Sequence, residues 1–332
     1  MKNISIYIFL AISILVGLPA CSEDDFGETI FDTTESELDP SSYSYPFDCW
    51  LRDNFLNGYN LDFRYRMQDV GTDMSYNLVP ATYENSIDMA LLLKYLWLDA
   101  YNEVGSESFM KENSPRIVHL IGSPAFNPVN GTMVLGLAEG GLKISLFRCN
   151  ALDYTDIAMM NEYYFKTMHH EFAHILHQKK TYPKEFRTLS SNYYEPNKWQ
   201  ERDEKVVASL GFVSPYGGSQ EREDFVEVIA NYIVKTDADW SQILDWASKG
   251  WKLQGSAYVE SEDTDGVDGK AVILQKLGIC RTWLADAWGI DLDKLRESVQ
   301  RRQATIDIVE LRKELDQYRA LRSETKNADN KK

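Results

Sequence analysis

The sequence predicts an α+β domain that is mostly helical, with a small mixed or antiparallel sheet beside one long helix. Three observations support this fold class. Apolar residues recur at helical spacing over long segments, most clearly around Ile87, Leu91 and Leu98. Shorter segments before residue 150 alternate like strands. An apolar content of 44% and an aromatic content of 12% in 332 residues are typical of a globular chain that buries a sizeable core.

The N-terminus reads as a processing signal followed by a tether. In residues 1–21, Lys2 precedes an apolar run that is too short for a comfortable membrane span, and the run ends at Leu18-Pro19-Ala20-Cys21. A cysteine after a small residue at this place resembles the bacterial lipobox, in which it becomes the lipidated first residue, although Pro19 departs from the usual pattern. The acidic residues 22–42 predict a flexible tether.

The elements of the first half follow from periodicity and turn residues. We predict a folded domain over 43–305 that begins with a helix stopped at Gly58. The other predicted elements are a strand over 60–67, a helix from Asn85 to Val104 capped by Asn85 or Ser86, a strand from Arg116 to Gly122, and a hairpin of Thr132–Ala138 with Gly141–Arg148. The lone His119 is predicted to be structural.

The second half is predicted to be helical. The predicted helices cover 153–178, capped by Asp153 or Thr155; Glu195 to Leu210; a segment capped by Ser219 that includes Phe225 and Ile233; Asp237 to Lys249; Lys270 to Trp288; and Asp291 to Arg302. Asp263 to Gly269 resembles part of a calcium loop, but the pattern is incomplete and an Asp/Gly turn is the better interpretation. Residues 306–332 predict a charged helix and tail, which either packs on a partner or is solvated.

Charge and cysteine content exclude several classes of function. A net charge of −16 gives no basic surface for phosphate backbones, which argues against nucleic-acid binding. Cys49, Cys149 and Cys280 lie far apart and form no C-x-x-C motif. One disulfide stays open, but three buried free thiols are the simpler prediction.

The chemistry centres on the segment Met168 to Gln178, which holds four of the five histidines. The motif His170-Glu171-Phe172-Ala173-His174 places two imidazoles one turn apart on the same helix face, where both can reach one tetrahedral Zn²⁺. Glu171 lies where it can take a proton from a water activated by the metal. The segment therefore predicts a catalytic zinc helix.

The third zinc ligand must come from elsewhere in the chain. The metzincin pattern is excluded because its glycine and last histidine are replaced by His177 and Lys180. A straight helix cannot bring positions i, i+4 and i+7 onto one ion, so we predict that His177 supports the site or lies at its rim.

The predicted third ligand is Glu223, on a second helix. Glu223 and Glu227 are one turn apart and share a face, which suits a ligand and a carboxylate that holds a ligating imidazole. Asp224 lies about 100° around the helix and is a rival ligand. The choice among Glu223, Asp224 and Glu227 stays open at this point, as does a solvated acidic face.

A family resemblance narrows these alternatives. Glu223-Asp224-Phe225-Val226-Glu227 resembles the E-x-F-A-E segment of gluzincins related to anthrax lethal factor. That resemblance implies that Glu223 binds zinc and Glu227 supports the site. It also implies that Tyr216, seven residues before Glu223, stabilises the oxyanion. Together with the lipobox, these motifs resemble the substrate-import-associated zinc metallohydrolase lipoproteins of Bacteroidota over roughly Tyr45 to Arg302.

The resemblance implies a zincin-like fold and a cellular setting. It implies an outer-membrane lipoprotein anchored through Cys21 and exposed at the cell surface, with a periplasm-facing protein as the alternative. Ser22-Glu23-Asp24-Asp25 resembles the surface-export signal of such lipoproteins. The implied partners are a TonB-dependent importer and a SusD-like lipoprotein.

Two functional hypotheses result. The first is a zinc-dependent peptidase that acts on a peptide or protein. The second is a non-catalytic surface binding or accessory lipoprotein of an importer, whose metal site is structural. An intact Glu171 favours the first hypothesis.

Overall fold

The computed structural model describes residues 38–67, 77–126, 133–134, 136–139 and 142–320. The predicted signal over 1–21 with Cys21, the tether up to residue 37 and the tail from residue 321 lie outside these residues. None of the described helices is both long enough and apolar enough to cross a membrane.

The first helices form one side of the core. Their bounds are Tyr45–Leu51 for α1, Tyr83–Leu93 for α2, Asp99–Val104 for α3 and Phe109–Asn113 for α4. A π-helical turn, Arg52–Leu56, extends α1, and another, Lys94–Leu98, joins α2 to α3.

The first helical segment ends at Asn60 in a left-handed conformation (φ 52°), not at the predicted Gly58. Thr82 caps α2 by accepting a hydrogen bond from the Asn85 amide, so the predicted caps were wrong by a few residues.

A mixed four-stranded sheet lies beside these helices. Its strands are Asp62–Arg64 (β1), Ile117–Leu120 (β2), Gly136–Glu139 (β5) and Lys143–Leu146 (β6). In the order β1-β2-β6-β5, the first three are parallel and β5 runs antiparallel to β6. The predicted hairpin is therefore confirmed. Two short strands, Ala125–Phe126 (β3) and Met133–Val134 (β4), form a separate antiparallel pair.

The second half is helical, as predicted, apart from one hairpin. The remaining elements are Ile157–Met160 (α5), Lys166–Lys179 (α6), Glu204–Ser209 (α7), Glu221–Val234 (α8), Asp237–Ala247 (α9), the strands Gly250–Gln254 (β7) and Ala257–Ser261 (β8), Gly269–Trp288 (α10), Leu292–Ala304 (α11) and Ile308–Arg312 (α12). A π-helical turn, Asn161–Phe165, joins α5 to α6 into the predicted central helix. The antiparallel pair β7–β8 was not predicted; it turns at Gly255 (φ 66°) and is largely exposed.

Three details of the second half differ from the predictions. Asp156, not Asp153 or Thr155, caps the central helix by accepting from the Met159 amide. Ser219 does not cap α8, which starts after Gln220 without a side-chain cap. The predicted helix from Glu195 to Leu210 is instead a 3₁₀ turn followed by the short α7.

The described part of the C-terminal segment, up to residue 320, packs on the same domain, and neither of the two predicted alternatives describes its contacts. The Arg312 guanidinium donates to Asp88 on α2, and the Tyr318 hydroxyl donates to Asp53 near α1. Leu315 is buried in the main core. Residues 308–320 therefore help to close the domain rather than extending away from it. Cys49, Cys149 and Cys280 are free thiols, as predicted, but only Cys149 and Cys280 are buried, whereas Cys49 is partly exposed.

Candidate metal centre

The central helix α6 presents two faces with different chemistry. On one face, Phe172 packs edge-on against the rings of Trp97 and Tyr101 at 5.3 and 5.0 Å. On the other face, His170 and His174 point toward α8, which packs along α6. The apolar face fixes the helix in the core, so the two imidazoles are held against the second helix.

Three of the predicted ligands meet at this contact. Glu223 Oε2 lies 3.0 Å from His170 Nε2 and 3.2 Å from His174 Nε2. One ligand atom from each residue lies within 4.8 Å of the other two. This is the one group of potential metal ligands of its kind among the residues that the structure describes, and Asp263 to Gly269 and His119 are not part of it.

The donor set and its spacing fit a zinc ion. Two imidazole nitrogens and one carboxylate oxygen are a donor set typical of catalytic zinc. Zinc bonds of about 2.0–2.2 Å at tetrahedral angles separate ligand atoms by about 3.4 Å, close to the oxygen–nitrogen distances between Glu223 and the two histidines. Three protein ligands leave a fourth position for water or substrate. The two separations that involve Glu223 therefore already suit the metal.

Glu227 supports His170 from behind. Its Oε1 lies 2.8 Å from His170 Nδ1, so the imidazole is held between two carboxylates. Glu227 is fully buried, and its Oε2 accepts hydrogen bonds from the Ser214 hydroxyl (2.5 Å) and the Asn231 amide (3.0 Å). The Lys166 ammonium lies 3.6 Å from the same oxygen. These contacts orient Glu227 and partly neutralise its buried charge.

The carboxylates create a site for positive charge. Burial disfavours protonation of His170, but its hydrogen bonds to Glu223 and Glu227 outweigh this and raise its pKa to about 9. Burial by itself would raise the pKa of Glu223, but its hydrogen bonds to His170 and His174 lower that pKa well below its usual range. A divalent cation neutralises these carboxylates better than a single proton does, because it replaces the proton and carries a larger positive charge.

Asp224, the rival ligand, points away from this centre. Its Oδ2 lies 2.6 Å from the Lys276 ammonium and accepts a hydrogen bond of 2.7 Å from the Tyr194 hydroxyl. Asp224 and Lys276 are both fully buried, and the Lys276 ammonium also donates to the Gly211 carbonyl. The ion pair joins α8 to α10 behind the site and leaves Glu223 facing the histidines.

The other two histidines of α6 have different surroundings. His169 is buried on the core side, where its Nδ1 lies 3.2 Å from the Tyr101 hydroxyl. His177 Nε2 lies 2.9 Å from His174 Nδ1, and the two rings meet at 65°. Burial lowers the pKa of His177 to about 4. His177 therefore lies behind His174 rather than among the metal ligands, in agreement with a supporting position.

Glu171 and Tyr216 lie beside the ligands. Burial raises the pKa of Glu171, while the charges of His170 and His174 act in the opposite direction. The Tyr216 ring is half-buried, 5.7 Å from the His170 ring, and the indole of Trp199 packs edge-on against it at 4.8 Å. Burial and the nearby Glu223 raise the pKa of the Tyr216 hydroxyl, which therefore stays protonated and able to donate.

Several contributors were not predicted from the sequence. They are Lys166, Trp199, Ser214, Asn231 and the pair Asp224–Lys276. One local signal was available, since Asn231 lies four residues after Glu227 and therefore shares its helix face. Lys166 had the same kind of signal, since it lies four residues before His170 on α6. Trp199, Ser214 and Lys276 come from other segments, and no spacing in the sequence marks them.

Comparisons with known proteins point to a family of zinc-binding metallo-peptidases. The model of a family described as "Putative zinc-binding metallo-peptidase" matches residues 41–293. The fold is similar to a crystal structure described as a "putative zinc-binding metallo-peptidase" from Bacteroides caccae ATCC 43185, with 38% sequence identity and a TM-score of 0.64. That similarity covers 84% of this chain and 98% of the other. A search of curated proteins finds no match. Zinc is the expected cofactor of this chain.

Proposed function

The chain belongs to the zinc-binding metallo-peptidase family whose model it matches, and on that premise we propose that it is a gluzincin-type zinc peptidase with a zincin-like fold. One observation carries the proposal: a single oxygen of Glu223 faces the Nε2 atoms of both His170 and His174. That arrangement is what two imidazoles and a helical glutamate need in order to share one ion.

Each residue of the centre has a distinct role in this proposal. His170, His174 and Glu223 hold zinc, and Glu227 fixes the orientation of His170. Bound zinc supplies a Lewis acid that makes water a competent nucleophile at neutral pH. Glu171 takes a proton from the attacking water and delivers it to the leaving amine. Tyr216 donates a hydrogen bond to the oxyanion that develops on the scissile carbonyl.

The proposed substrate is an extended segment of a peptide or protein. Strand β5 lies at the end of the four-stranded sheet and is its antiparallel strand. An edge strand offers main-chain donors and acceptors that can pair with an extended chain independently of its side chains. We propose that β5 binds substrate in this way, as the zincin-like assignment implies. Crosslinking of a substrate-derived peptide to residues 136–139 tests this, and crosslinking only elsewhere contradicts it.

The cellular part of the proposal rests on sequence motifs. We propose an outer-membrane lipoprotein, exposed at the cell surface, that acts with a TonB-dependent importer and a SusD-like lipoprotein. The support is Leu18-Pro19-Ala20-Cys21 followed by an acidic run. Membrane fractionation and copurification from native membranes test the anchor and the partners. A fully soluble protein, or one that copurifies with no importer, contradicts the respective part.

Zinc content and its link to activity test the enzymatic proposal. We expect about one zinc per chain after purification at neutral pH, as three protein ligands predict. Removal of the metal with a chelator is expected to abolish cleavage in a peptide library, and added zinc is expected to restore it. Magnesium serves as the control, because it prefers oxygen ligands and should not restore activity. Less than about half an equivalent of zinc after zinc-supplemented purification argues against the site.

Replacement of Tyr216 by phenylalanine tests the proposed oxyanion donor. The change removes only the hydroxyl and keeps the ring that packs between His170 and Trp199. We expect kcat to fall by about 10²–10³-fold, the usual loss for one oxyanion donor, with the zinc content unchanged. Tyr193→Phe, on a nearby loop, is the matched control. A rise in KM at constant kcat would instead assign Tyr216 to substrate binding.

A further inference from the structure

We infer that His177 is a positioning residue that fixes the tautomer and ring orientation of His174. The inference rests on the proposed zinc site and adds a residue to it. The two ligating histidines differ in the chemical group that lies behind each ring. His170 Nδ1 faces the carboxylate of Glu227, whereas His174 Nδ1 faces a second imidazole.

The hydrogen-bonding geometry determines which nitrogen of His174 and of His177 carries the hydrogen. His174 Nε2 faces Glu223 on the metal side, so it must be unprotonated to bind zinc. A neutral imidazole then carries its hydrogen on Nδ1. His177 Nε2 lies 2.9 Å from that atom, too close for both nitrogens to carry hydrogens. His174 Nδ1 therefore donates, His177 Nε2 accepts, and His177 is the Nδ1–H tautomer.

The surroundings of His177 suit this task. The residue is only 9% exposed, so few waters can compete for its Nε2 atom. The rings of Tyr182 and Phe225 meet it edge-on at 5.6 and 6.4 Å. Phe225 is on α8, two residues after Glu223, so the helix that supplies the third ligand also holds the group behind His174. Supporting groups of this kind usually change metal affinity when they are removed.

The supporting residue is on the same helix as its ligand. Positions 174 and 177 are three residues apart, so their side chains are neighbours on one helical surface. The group that orients His174 is therefore on α6 itself, although Tyr182 and Phe225 hold that group in place, whereas the group that orients His170 is on α8. One ligand thus has its supporting partner on its own helix and the other on a second helix.

The experiment compares zinc affinity in variants of the full chain. His177→Phe keeps the ring volume but removes the acceptor, and we expect its zinc Kd to rise by about 10–100-fold in a chelator competition. His177→Gln places an amide oxygen near the former Nε2 atom and is expected to bind zinc much more tightly than His177→Phe. Glu227→Gln, which weakens the support of His170, is a benchmark with an expected loss of about 10–100-fold.

A second readout avoids mutation. Nitrogen-15 NMR of the zinc-loaded wild type reports which imidazole nitrogens carry hydrogen, and the chain has only five histidines to assign. We expect hydrogen on Nδ1 of both His174 and His177. A protonated Nε2 on His177, an unchanged Kd in His177→Phe, or equal losses in the Phe and Gln variants would overturn the inference. None of these results affects the peptidase proposal, whereas a wild type that holds no zinc would remove the basis of both.

Discussion

Replacement of Glu171 by glutamine is expected to lower peptide cleavage by about 10²–10⁴-fold, the range that a general acid–base residue contributes. Glutamine keeps the size and polarity of the side chain but cannot take a proton from the attacking water at neutral pH. Glu171 is not one of the three grouped ligands, so zinc content should stay at the wild-type level. The measurement is cleavage of a peptide library, read by mass spectrometry, together with metal analysis.

This prediction has a matched control on the same helical segment. Glu162 is exposed on the π-helical turn before α6, and Glu162→Gln changes the same chemical group away from the ligands. It should retain wild-type activity. Equal cleavage by wild type and Glu171→Gln would reject Glu171 as the base. Absence of cleavage by either protein, at full zinc occupancy, would favour the non-catalytic binding lipoprotein.

Replacement of Lys276 by methionine is expected to reduce the free energy of unfolding by about 3–5 kcal/mol, because it leaves Asp224 as an uncompensated buried charge. Both residues are fully buried, and Asp224 Oδ1 has no hydrogen-bond partner among the described residues. Urea denaturation of the metal-free proteins gives the free energy without a contribution from zinc binding.

Two further variants separate the effect of the buried charge from the effect of side-chain packing. Asp224→Asn in the Lys276→Met background removes the second charge while keeping an oxygen for Tyr194, and it should recover much of the lost stability. Lys270→Met changes an exposed lysine near the start of α10 and should alter stability by less than about 0.5 kcal/mol. A double variant no more stable than Lys276→Met would show that packing of the lysine chain, not charge, is what matters.

The Lys276–Asp224 pair also bears on how far the sequence could predict the site. The helix pair and the face shared by Glu223 and Glu227 follow from spacing, because an α-helix repeats every 3.6 residues. Spacing does not say which acidic residue faces the histidines. Lys276, 52 positions after Asp224 in the chain, holds the Asp224 carboxylate away from the histidines. That choice depends on a contact that no local pattern encodes.

For the segment from Glu195 to Leu210, the secondary structure predicted from the sequence was wrong. The sequence predicts one helix here, but groups in and beside the segment bond to other parts of the chain instead. The Glu195 amide donates to the Gly218 carbonyl, and the Tyr194 hydroxyl beside it donates to Asp224. Arg202 donates to the Tyr193 carbonyl. Because the segment lacks a strong apolar stripe, these tertiary hydrogen bonds decide its conformation over intrinsic helix propensity.

The sequence by itself determined the α+β class, the hairpin β5–β6 and the two helices on which the predicted ligands lie. Those features depend on periodicity and on pairs three or four residues apart, which are local properties of the chain. Only the tertiary structure decided that Glu223 rather than Asp224 meets His170 and His174, and that Glu227 and His177 support different imidazoles. The reason is physical: a buried charge is stabilised by partners close in space, and most of these partners are far apart in the sequence.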